Sequence, residues 1–586
     1  MVFVAPLRWR RLPAADRVPR CAIAAAAVTL VLLAGRPSSA CDGDCDGDGR
    51  VTVDELTASV NIALGKSPLR ACEAVDANGD GTVSIDELIR AVNDALGACS
   101  TPTAGASPTP SLGDSVLEHH HSPSRDGVYV IPALTKAHAA ALAIDPTFAP
   151  ATASHTYAQP LYLADPAGRD LVFVATEQNQ VSAFHADDGT VAWQRTLAPP
   201  IPRSALPCGN IDPLGITGTP IIDAAARTLF LDAMTDAGGG TPKHMIYALS
   251  VDDGSTRAGW PVDLNAGVSS GGITFDSRVQ NQRPALALLD GTVYVAYGGH
   301  YGDCGDYYGW VVGVPTADPV SVGVFRTHDQ GVAIWGPSGI SSDGTSLYVT
   351  TGNGFGGPEW GDSEAVLRLS PGPVFDRTDT RNYFAPADWP RLDQLDLDLA
   401  STGPVLVDLP GAVHDQLAIA LGKDGYMYVL DRTDLGGIGG ELLAMKVASN
   451  QIINAAASYR TPHGTYVVFK GDGVNCPDGT SGNVTAMRLL PTDPLSAEVA
   501  WCGASNGLGS PMVTQTELGG GDTIVWVVGC EGDLKLHGFD GDDGTVVFGG
   551  GGAAETMAGG VRRYVTPIAV KGRIFVAGDG RVYAFK

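Results

Sequence analysis

Two stretches near the start of the chain place acidic side chains at the spacing of a calcium-binding loop. They are "DCDGDGRVTVDE" (44–55) and "DANGDGTVSIDE" (76–87), and both fit the pattern D-x-[DN]-x-[DN]-G-x5-E. Calcium takes about six to eight oxygen ligands, which carboxylates and backbone carbonyls supply at these positions. The pattern predicts two Ca²⁺ sites, whose ligands are Asp44, Asp46, Asp48, Arg50 (carbonyl) and Glu55, and Asp76, Asn78, Asp80, Thr82 (carbonyl) and Glu87.

An amphipathic helix is predicted after each loop, because apolar residues recur there at i, i+4 and i+8. These residues are Leu56, Val60 and Leu64 after the first loop, and Leu88, Val92 and Leu96 after the second. No helix is predicted before either loop, since Pro68 interrupts the approach to the second one. Each unit is therefore half of a helix–loop–helix hand, and residues 41–99 are predicted to form a small α-helical domain.

Two such half-hands, 32 residues apart, resemble the dockerin modules of secreted polysaccharide-degrading systems. The resemblance implies calcium-dependent docking to a protein partner. The sequence departs from the dockerin pattern at loop position 12, where Glu55 and Glu87 stand in place of the usual Asp. It departs again at positions 10 and 11, usually polar or basic in dockerins, which here are Val53, Asp54, Ile85 and Asp86.

The first 40 residues have the pattern of an export signal. Arg residues precede the apolar run "CAIAAAAVTLVLLAG", and "SSA" before Cys41 is a small-residue cleavage site. The run is shorter than the roughly 20 residues needed to span a bilayer, and no later segment qualifies. We therefore expect a secreted or periplasmic protein with no transmembrane segment. Residues 100–124, which begin "STPTAGASPTPSLGD", are predicted to be a linker to a large domain over 125–586.

Cysteine usage agrees with an oxidising compartment. Four cysteines lie in the front segment, which predicts two disulfides there with all three pairings open. Five lie in the large domain, for which we expect the pairs Cys208–Cys304 and Cys476–Cys502 and one unpaired thiol. The formal net charge of −26 argues against nucleic acid and anionic membranes as partners.

The large domain repeats a unit of about 45–55 residues, each containing four short predicted strands. One copy is "GITGTPIIDAAARTLFLDAM…KHMIYALSVDDGSTRAGWPVDL" (215–264). Repeats of this kind predict a mainly β protein with a β-propeller of eight blades, seven being the alternative. The last copy has three strands, and "DGVYVIP" (126–132) is expected to supply its missing outer strand. Inner strands are expected to begin near Gln159, Thr219, Asn281, Gly336, Gly403, Ala455, Gly509 and Thr566.

The stretches "AFHADDGTVAW" (183–193) and "ALSVDDGSTRAGW" (248–260) resemble the blade motif of quinoprotein-like propellers. The resemblance extends over most of residues 125–586 and implies that each motif Trp packs between neighbouring blades. It also raises the possibility of a pyrroloquinoline quinone (PQQ) cofactor held with calcium, with an Asp as catalytic base. The adjacent cysteines that typically cover the quinone and a C-x-x-C-H haem motif do not occur in the sequence.

Several polar groups in the large domain allow both a functional and a structural interpretation. "GGHYGDCGDYYGW" (298–310), with His300, Asp303, Asp306 and Trp310, is either a binding loop or a long loop held by Cys304, the second being favoured. Tight turns account for the three "DDG" stretches. "HHH" at 119–121 is given no site, and hydrogen bonds in blade turns are expected for Glu177, Asp362 and Glu364.

Three functions are compatible with these features. The favoured one is a secreted calcium-binding protein with a non-catalytic propeller that serves as a protein or carbohydrate interaction scaffold. The first alternative is a periplasmic PQQ- and calcium-dependent dehydrogenase of sugars or alcohols. The second is an accessory protein of polysaccharide degradation that docks through its dockerin-like module. The sequence does not identify catalytic or cofactor-binding residues.

Overall fold

The computed structural model describes residues 43–45, 51–64, 66–76, 82–83, 88, 91, 114–165 and 168–586. The chain divides into two compact units, Met1–Thr109 and Pro110–Lys586. The predicted export signal lies outside the described residues. Within the described ranges, no helix is long and apolar enough to cross a membrane.

The front unit contains a helix, α1 (Val53–Ala63), which begins inside the first calcium-loop pattern. Thr52 caps it: its hydroxyl accepts a hydrogen bond from the Glu55 amide, and the Glu55 carboxylate accepts one from the Thr52 amide. This reciprocal arrangement satisfies two amides that a helix start otherwise leaves unpaired. Two 3₁₀ turns follow, Leu69–Ala71 and Glu73–Val75.

The buried face of α1 differs from the predicted one. Ile62 is buried with Cys72, Val75 and Ala91, and Leu56 packs against them. Val60 and Leu64, predicted on the same face as Leu56, are 44% and 61% exposed. Their expected burial is wrong, because the described core of this unit lies around the disulfide between Cys45 and Cys72, which Ile62 and Leu56 pack against. Val92 and Leu96 lie outside the described residues.

The large unit is an eight-bladed β-propeller, as the repeat predicts. Blades 1 to 4 each consist of an antiparallel meander around the central axis. Blade 1 contains β2 (Leu161–Leu163), β3 (Leu171–Ala175), β4 (Gln180–His185) and β5 (Val191–Thr196); blade 2 contains β6 (Ile221–Asp223), β7 (Thr228–Asp236), β8 (Pro242–Ser250) and β9 (Val262–Asp263), followed by a hairpin of β10 (Ser269–Ser270) and β11 (Ile273–Thr274). Blade 3 contains β12 (Gln280–Asn281), β13 (Ala287–Leu289), β14 (Thr292–Gly299), β15 (Trp310–Pro315) and β16 (Gly323–Arg326); blade 4 contains β17 (Ser341–Ser342), β18 (Leu347–Thr350), β19 (Val366–Leu369) and β20 (Tyr383–Ala385).

Blades 5 to 8 repeat the same arrangement. Blade 5 contains β21 (Val405–Asp408), β22 (Gln416–Leu421), β23 (Tyr426–Asp431) and β25 (Leu443–Lys446), while β24 (Gly437–Ile438) pairs with β20 of blade 4. Blade 6 contains β26 (Ala457–Thr461), β27 (Gly464–Lys470), β28 (Val484–Leu490) and β29 (Ser496–Gly503); blade 7 contains β30 (Met512–Gln515), β31 (Ile524–Val528), β32 (Leu536–Asp540) and β33 (Val546–Phe548); blade 8 contains β34 (Ile568–Val570), β35 (Arg573–Gly578) and β36 (Arg581–Phe585).

Short helical segments lie in the connections of the propeller. Two are α-helical, α2 (Lys136–Ala139) and α3 (Trp389–Leu395). The others are 3₁₀ turns at His119–His121, Arg203–Ala205, Thr380–Asn382, Leu399–Ser401 and Pro477–Gly479. We call the end of the propeller at which the inner strands begin its upper face. In such a meander, the turn between the second and third strands lies at that same end.

The expectation for residues 126–132 is wrong. Their strand, β1 (Val128–Val130), does not complete blade 8 but runs parallel to β30, the inner strand of blade 7. The outer edge of blade 8 is instead closed by the following segment. There Ala143 and Lys586 exchange backbone hydrogen bonds of 3.1 and 3.0 Å, and Asp145 donates to Ala584 at 2.8 Å.

Residues 114–131 enter the central channel of the propeller, and we call them the axial segment. Val116 pairs antiparallel with Tyr162 of blade 1, so the chain rises from the lower face; β1, parallel to β30, returns downward. Residues 114–124 therefore belong to the propeller rather than to the predicted linker. The turn between the two arms contains His119 and His120, which are 2% and 0% exposed.

Arg125 joins the axial segment to blades 3 and 4, and its side chain is fully buried. Its guanidinium donates to the carbonyls of Leu286 (2.8 Å) and Ile340 (3.0 Å), which lie at the inner strands of those blades. It also donates to the His119 carbonyl and to the Glu118 carboxylate, each at 2.8 Å. A planar guanidinium with five donors suits this crowded set of acceptors.

Trp193, the first of the two motif tryptophans, packs against the next blade, as the resemblance implies, whereas the second, Trp260, contacts Phe230 of its own blade at 5.4 Å. Trp193 of blade 1 donates from its indole to the Val251 carbonyl of blade 2 at 2.7 Å. Trp501 of blade 6 donates to the Gly541 carbonyl of blade 7 at 2.9 Å. Both rings lie over the Asp-Asp-Gly turn of the neighbouring blade, where a side chain at Gly254 or Gly544 would meet the indole.

The disulfides expected in the large domain are present. Cys208 is bonded to Cys304 and Cys476 to Cys502, and Cys530 is the buried free thiol. The first pair closes a loop of 96 residues between the connection into blade 2 and a turn of blade 3.

Candidate functional site

Two buried carboxyl groups meet on the upper face between blades 4 and 5. Glu364 lies in the turn between β18 and β19, and Asp398 lies in the connection from blade 4 to blade 5. The Glu364 Oε2 accepts a hydrogen bond of 2.6 Å from the amide of Leu399. Leu399 directly follows Asp398, so this bond holds the Glu364 carboxyl group close enough to Asp398 for their charges to interact.

The environment of this pair disfavours ionisation. Glu364 is 0% exposed and Asp398 is 4% exposed. Burial, followed by the charge of Asp398, raises the pKa of Glu364 well above its ordinary value. Burial also raises the pKa of Asp398, against the opposing charge of Lys423. The pair therefore retains a proton at pH values where exposed carboxyl groups are ionised.

A cation and an indole complete the site around Asp398. Its Oδ2 lies 2.6 Å from the Lys423 Nζ and accepts a hydrogen bond of 3.2 Å from the Trp335 indole. Its Oδ1 accepts one of 2.9 Å from the Asn353 amide. Lys423 Nζ and Arg283 Cζ lie 5.5 and 5.9 Å from the centre of the Trp335 ring, within the range of cation–π contacts.

One oxygen of the pair has no hydrogen-bond partner within the described ranges. It is the Glu364 Oε1, which is buried. A third carboxyl group nearby, Asp393, accepts hydrogen bonds from the Gly354 amide (2.9 Å) and the Ser363 hydroxyl (3.0 Å). No group of three or more His, Cys, Asp or Glu side chains in the described part of the chain has the geometry to hold a metal. Glu364, Asp398 and Asp393 therefore do not form a protein-only metal site within the described residues.

Another buried carboxyl group, that of Glu177, lies on the upper face in blade 1. It accepts hydrogen bonds from the Gly215 amide (2.7 Å) and the Thr217 hydroxyl (2.8 Å), which connect blade 1 to blade 2. Burial raises its pKa to about 7, with these two bonds opposing the shift. Glu177 therefore titrates near neutral pH while joining two blades.

The upper end of the channel is nearly closed. A cavity of about 20 Å³ lies there, lined by His119 of the axial segment, by Gln159 and by Arg283, among others. That volume accommodates about one water molecule. The turn of the axial segment therefore forms the floor of the upper face at the axis.

The loop at 298–310 is largely structural. Trp310 belongs to the core, 1% exposed and edge-on to Phe275 at 5.5 Å. Asp303 accepts a hydrogen bond of 2.8 Å from the Tyr307 hydroxyl, and Asp306 accepts one of 2.9 Å from Gln330. Burial lowers the pKa of His300 to about 4. These four residues therefore do not converge on a common site.

The remaining expected turn residues are held as the turn interpretation predicts. Asp362 accepts hydrogen bonds of 2.7 Å from the His328 amide and from the Arg377 guanidinium. In the "DDG" turns, Asp188 and Asp253 accept bonds from the residues two positions later. Glu364 differs, because only one of its oxygens is engaged.

The calcium-loop residues are only partly described. Asp44 is buried, and Glu55 accepts a hydrogen bond of 2.8 Å from the Cys45 amide in addition to its helix-capping bond. Asp76 and Thr82 lie in the described ranges. The remaining predicted ligands lie outside the described residues: Asp46, Asp48, Arg50, Asn78, Asp80 and Glu87.

Sequence reasoning misses two features. It predicts no role for His119–His121, although the stretch forms the turn inside the channel. It also misses the cluster of Glu364, Asp398, Lys423 and Trp335, because the members come from separate connections. Trp335 and Lys423 lie in the stretches "IWGPSGISSDGTSLYVTTGNG" (334–354) and "GKDGYMYVLDR" (422–432), which resemble secreted bacterial propellers of unassigned function, and this resemblance is the signal that could have pointed there.

Comparisons with known proteins agree with the fold. A family model described as "EF hand" matches residues 73–92. No curated protein matches the chain significantly.

Three solved structures share the propeller. A quinohemoprotein alcohol dehydrogenase from Comamonas testosteroni has a TM-score of 0.57 at 15% identity, covering 82% of this chain and 81% of its own. One from Pseudomonas putida HK5 has a TM-score of 0.56 at 13% identity, covering 81% and 80%. A europium-containing methanol dehydrogenase has a TM-score of 0.53 at 12% identity, covering 81% of this chain and 98% of its own. The propeller fold is that of quinoprotein dehydrogenases; at these identities the likeness concerns the fold alone.

Proposed function

We propose that the propeller is an exported dehydrogenase of alcohols or sugars, with its site at Glu364, Asp398 and Lys423. The observation that carries this proposal is the buried pair of carboxyl groups with raised pKa values. Such groups, placed in loops beside a specific charged partner, are typical of sites that transfer protons. A non-catalytic blade turn does not need a buried carboxyl group with an unused oxygen.

The side chains at this site suit the calcium ion and the quinone that such a dehydrogenase uses. The unpartnered Glu364 Oε1 suits a hard divalent cation such as calcium. Trp335, flanked by Arg283 and Lys423, suits a planar anionic quinone. When bound, a quinone cofactor supplies the acceptor for two electrons.

The chain's own residues supply positioning and proton transfer. Asp398, with its raised pKa, is suited to accept a proton from a substrate hydroxyl. Lys423 stabilises the ionised form of Asp398 through their 2.6 Å contact. The Asn353 amide and the Trp335 indole hold the Asp398 carboxylate in one orientation.

The test is dye reduction by the purified full chain supplied with PQQ and Ca²⁺ over a panel of alcohols and sugars. We expect turnover that falls at least about 100-fold in Asp398→Asn, because the base is removed. Asp396→Asn is the matched control, since Asp396 is exposed and contacts only Lys423 among these residues. Absence of turnover over the whole panel, or equal losses in both variants, would contradict the proposal.

A non-catalytic interaction scaffold is the second candidate. It is favoured by the turn of the axial segment, which narrows the upper end of the channel to a cavity of about 20 Å³. Pockets for drug-sized ligands typically measure about 300–1,000 Å³. Titration of the protein with PQQ and Ca²⁺, followed by Trp fluorescence, separates the two candidates: saturable quenching that Trp335→Leu abolishes favours the dehydrogenase, and its absence favours the scaffold.

For the front unit we propose two calcium sites, with docking to a protein partner as their use. The EF-hand match and the duplicated ligand pattern support this proposal. Glu55→Gln is the informative variant, because Gln also satisfies the helix-capping arrangement but removes one ligand charge. We expect Ca²⁺ to raise the melting temperature of the front unit in the native protein, and to do so less in Glu55→Gln. Equal Ca²⁺ responses of the two proteins would count against the first site.

A further inference from the structure

The axial segment is hydrogen-bonded to the inner strands of seven blades. In six of them an inner-strand amide donates to a carbonyl of the segment at 2.8–2.9 Å. In blade 3 the donor is instead Arg125, which reaches the Leu286 carbonyl. The six amide–carbonyl pairs are Tyr162–Val116, Ile222–Leu117, Ser342–Pro123, Leu406–Ser124, Ser458–Asp126 and Val513–Gly127.

Blade 8 is the exception. In blades 2 and 7 the donors to the axial segment, Ile222 and Val513, each follow a Pro by two positions. In blade 8 Ala569 follows Pro567 by two positions, so the Ala569 amide is equivalent to those donors. Ala569 lies opposite Ile574 in β35. Val570 and Arg573 flank the tight turn between the two strands and form a hydrogen-bonded pair, so Ala569 and Ile574 form a non-hydrogen-bonded pair. The backbone groups of Ala569 therefore point toward the axis. Within the described ranges, the axial segment makes no backbone hydrogen bond to β34.

A cleft lies where this missing strand would fit. Its volume is about 410 Å³, and it opens at the lower face between the two arms of the axial segment, beside Ala569 and Val570. Its lining is largely apolar, and two of the apolar lining side chains are solvent-exposed: Val130 is 41% exposed and Leu518 is 84% exposed. Its carboxylates come from Asp114 and Asp126.

We propose that this cleft binds an extended segment of a partner protein, which adds as a strand to β34. An unpaired strand edge beside apolar pockets is the arrangement by which proteins capture peptides through backbone hydrogen bonds. The added strand continues the ladder that the axial segment forms with the other blades. The cleft is lined by the carboxylates of Asp114 and Asp126 and by no Lys or Arg, while Lys571 at its edge lies 3.8 Å from the Asp114 carboxylate. These three groups together leave one net negative charge, so the segment that fits carries a Lys or Arg among alternating apolar residues. This site is separate from Glu364 and Asp398 and does not depend on the proposed enzymatic activity.

The first measurement is amide hydrogen exchange on the free full-length chain. The Ala569 amide is expected to exchange faster than the equivalent amides of Ile222, Leu406 and Val513, because it alone among these four has no hydrogen-bond partner on the axis within the described residues. Protection equal to theirs would overturn the proposal, since the position would then be occupied already, by residues 100–113 of this chain or by a second copy.

The second measurement uses defined peptides and fluorescence polarisation. The probe is a labelled peptide of about eight alternating valine and threonine residues with one central lysine, a length typical of strands. We expect saturable binding, weakened at least about tenfold when glutamate replaces the lysine or when alternate backbone amides are N-methylated. Binding should also protect the Ala569 amide. Asp114→Asn should weaken binding of the lysine peptide, whereas Asp415→Asn, an exposed carboxylate outside the cleft, should not.

Failure of the lysine peptide to bind, or equal binding of the N-methylated peptide, would overturn strand addition. Ala569→Pro removes the amide hydrogen, and Ala569→Gly is its matched control. Should the Pro variant fail to fold, the N-methylated peptide tests the same hydrogen bond without changing the protein.

Discussion

At the scale of single residues, Glu177 makes folding depend on pH. Its pKa is raised by burial to about 7 from an ordinary value of 4.5, so the folded state holds the proton more tightly than the unfolded state. Its contribution to stability is therefore fully present below about pH 4.5 and is lost as the pH rises through about 7. The shift corresponds to about 3 kcal/mol between these limits.

Glu177→Gln should remove this dependence. An amide can accept from Gly215 and donate to Thr217, so the neutral side chain fits the same partners. We expect the variant to be more stable than the natural protein at pH 8, and the difference to shrink toward pH 4.5. Urea denaturation at several pH values measures it, with exposed Glu517→Gln as the control. Parallel stability curves for Glu177→Gln and the natural protein would contradict the prediction.

At the scale of elements, the contact between a motif Trp and the next blade depends on a glycine. Gly254 has a φ of +70°, and a Cβ there would lie 2.6 Å from Cε3 of Trp193. Gly344 has a similar φ of +87° with nothing within 4 Å of the same position. In both Ala variants, the left-handed backbone conformation should lower the free energy of unfolding by roughly 1 kcal/mol. Gly254→Ala should lose about 1–3 kcal/mol more through the clash with the indole. Denaturant unfolding measures both free energies, and equal losses in the two variants would show that a Cβ at position 254 does not disturb the packing of Trp193.

The elements also show what sequence predicts and what it does not. The repeat predicts eight blades because each copy contains the same strands and turns. It fails for residues 126–132, because alternating apolar residues indicate a strand but do not identify its partner. Glu364, Asp398 and Lys423 are not predicted together for the same reason: each lies in an ordinary turn, and only the circular arrangement of blades brings the turns together.

At the scale of the whole molecule, the axial segment connects blades that do not touch each other. A propeller ordinarily depends on contacts between neighbours and on closure of its first and last blades. Here one continuous stretch, residues 114–131, is hydrogen-bonded to seven inner strands. We therefore expect the propeller to unfold as one cooperative unit, with the axial segment essential to it.

Arg125 is the residue through which this expectation can be tested. Arg125→Met leaves three carbonyls and the Glu118 carboxylate without their donor inside the protein. Removing one partner of a buried charged pair typically costs about 3–5 kcal/mol. We expect a loss of that size in urea unfolding of the whole propeller, in a single transition. Arg381→Met is the matched control, because Arg381 is 63% exposed and pairs with Asp379 at the surface. Its loss should stay within about 1 kcal/mol.

A second variant separates the buried charge from the connection between blades. In Glu118→Gln combined with Arg125→Met, no uncompensated carboxylate remains, yet the bonds to blades 3 and 4 are still missing. We expect the double variant to recover part of the loss but not all of it, because the Leu286 and Ile340 carbonyls remain unsatisfied. Full recovery would mean that Arg125 serves only to neutralise Glu118. No loss in the single variant would mean that the axial segment does not hold the blades together.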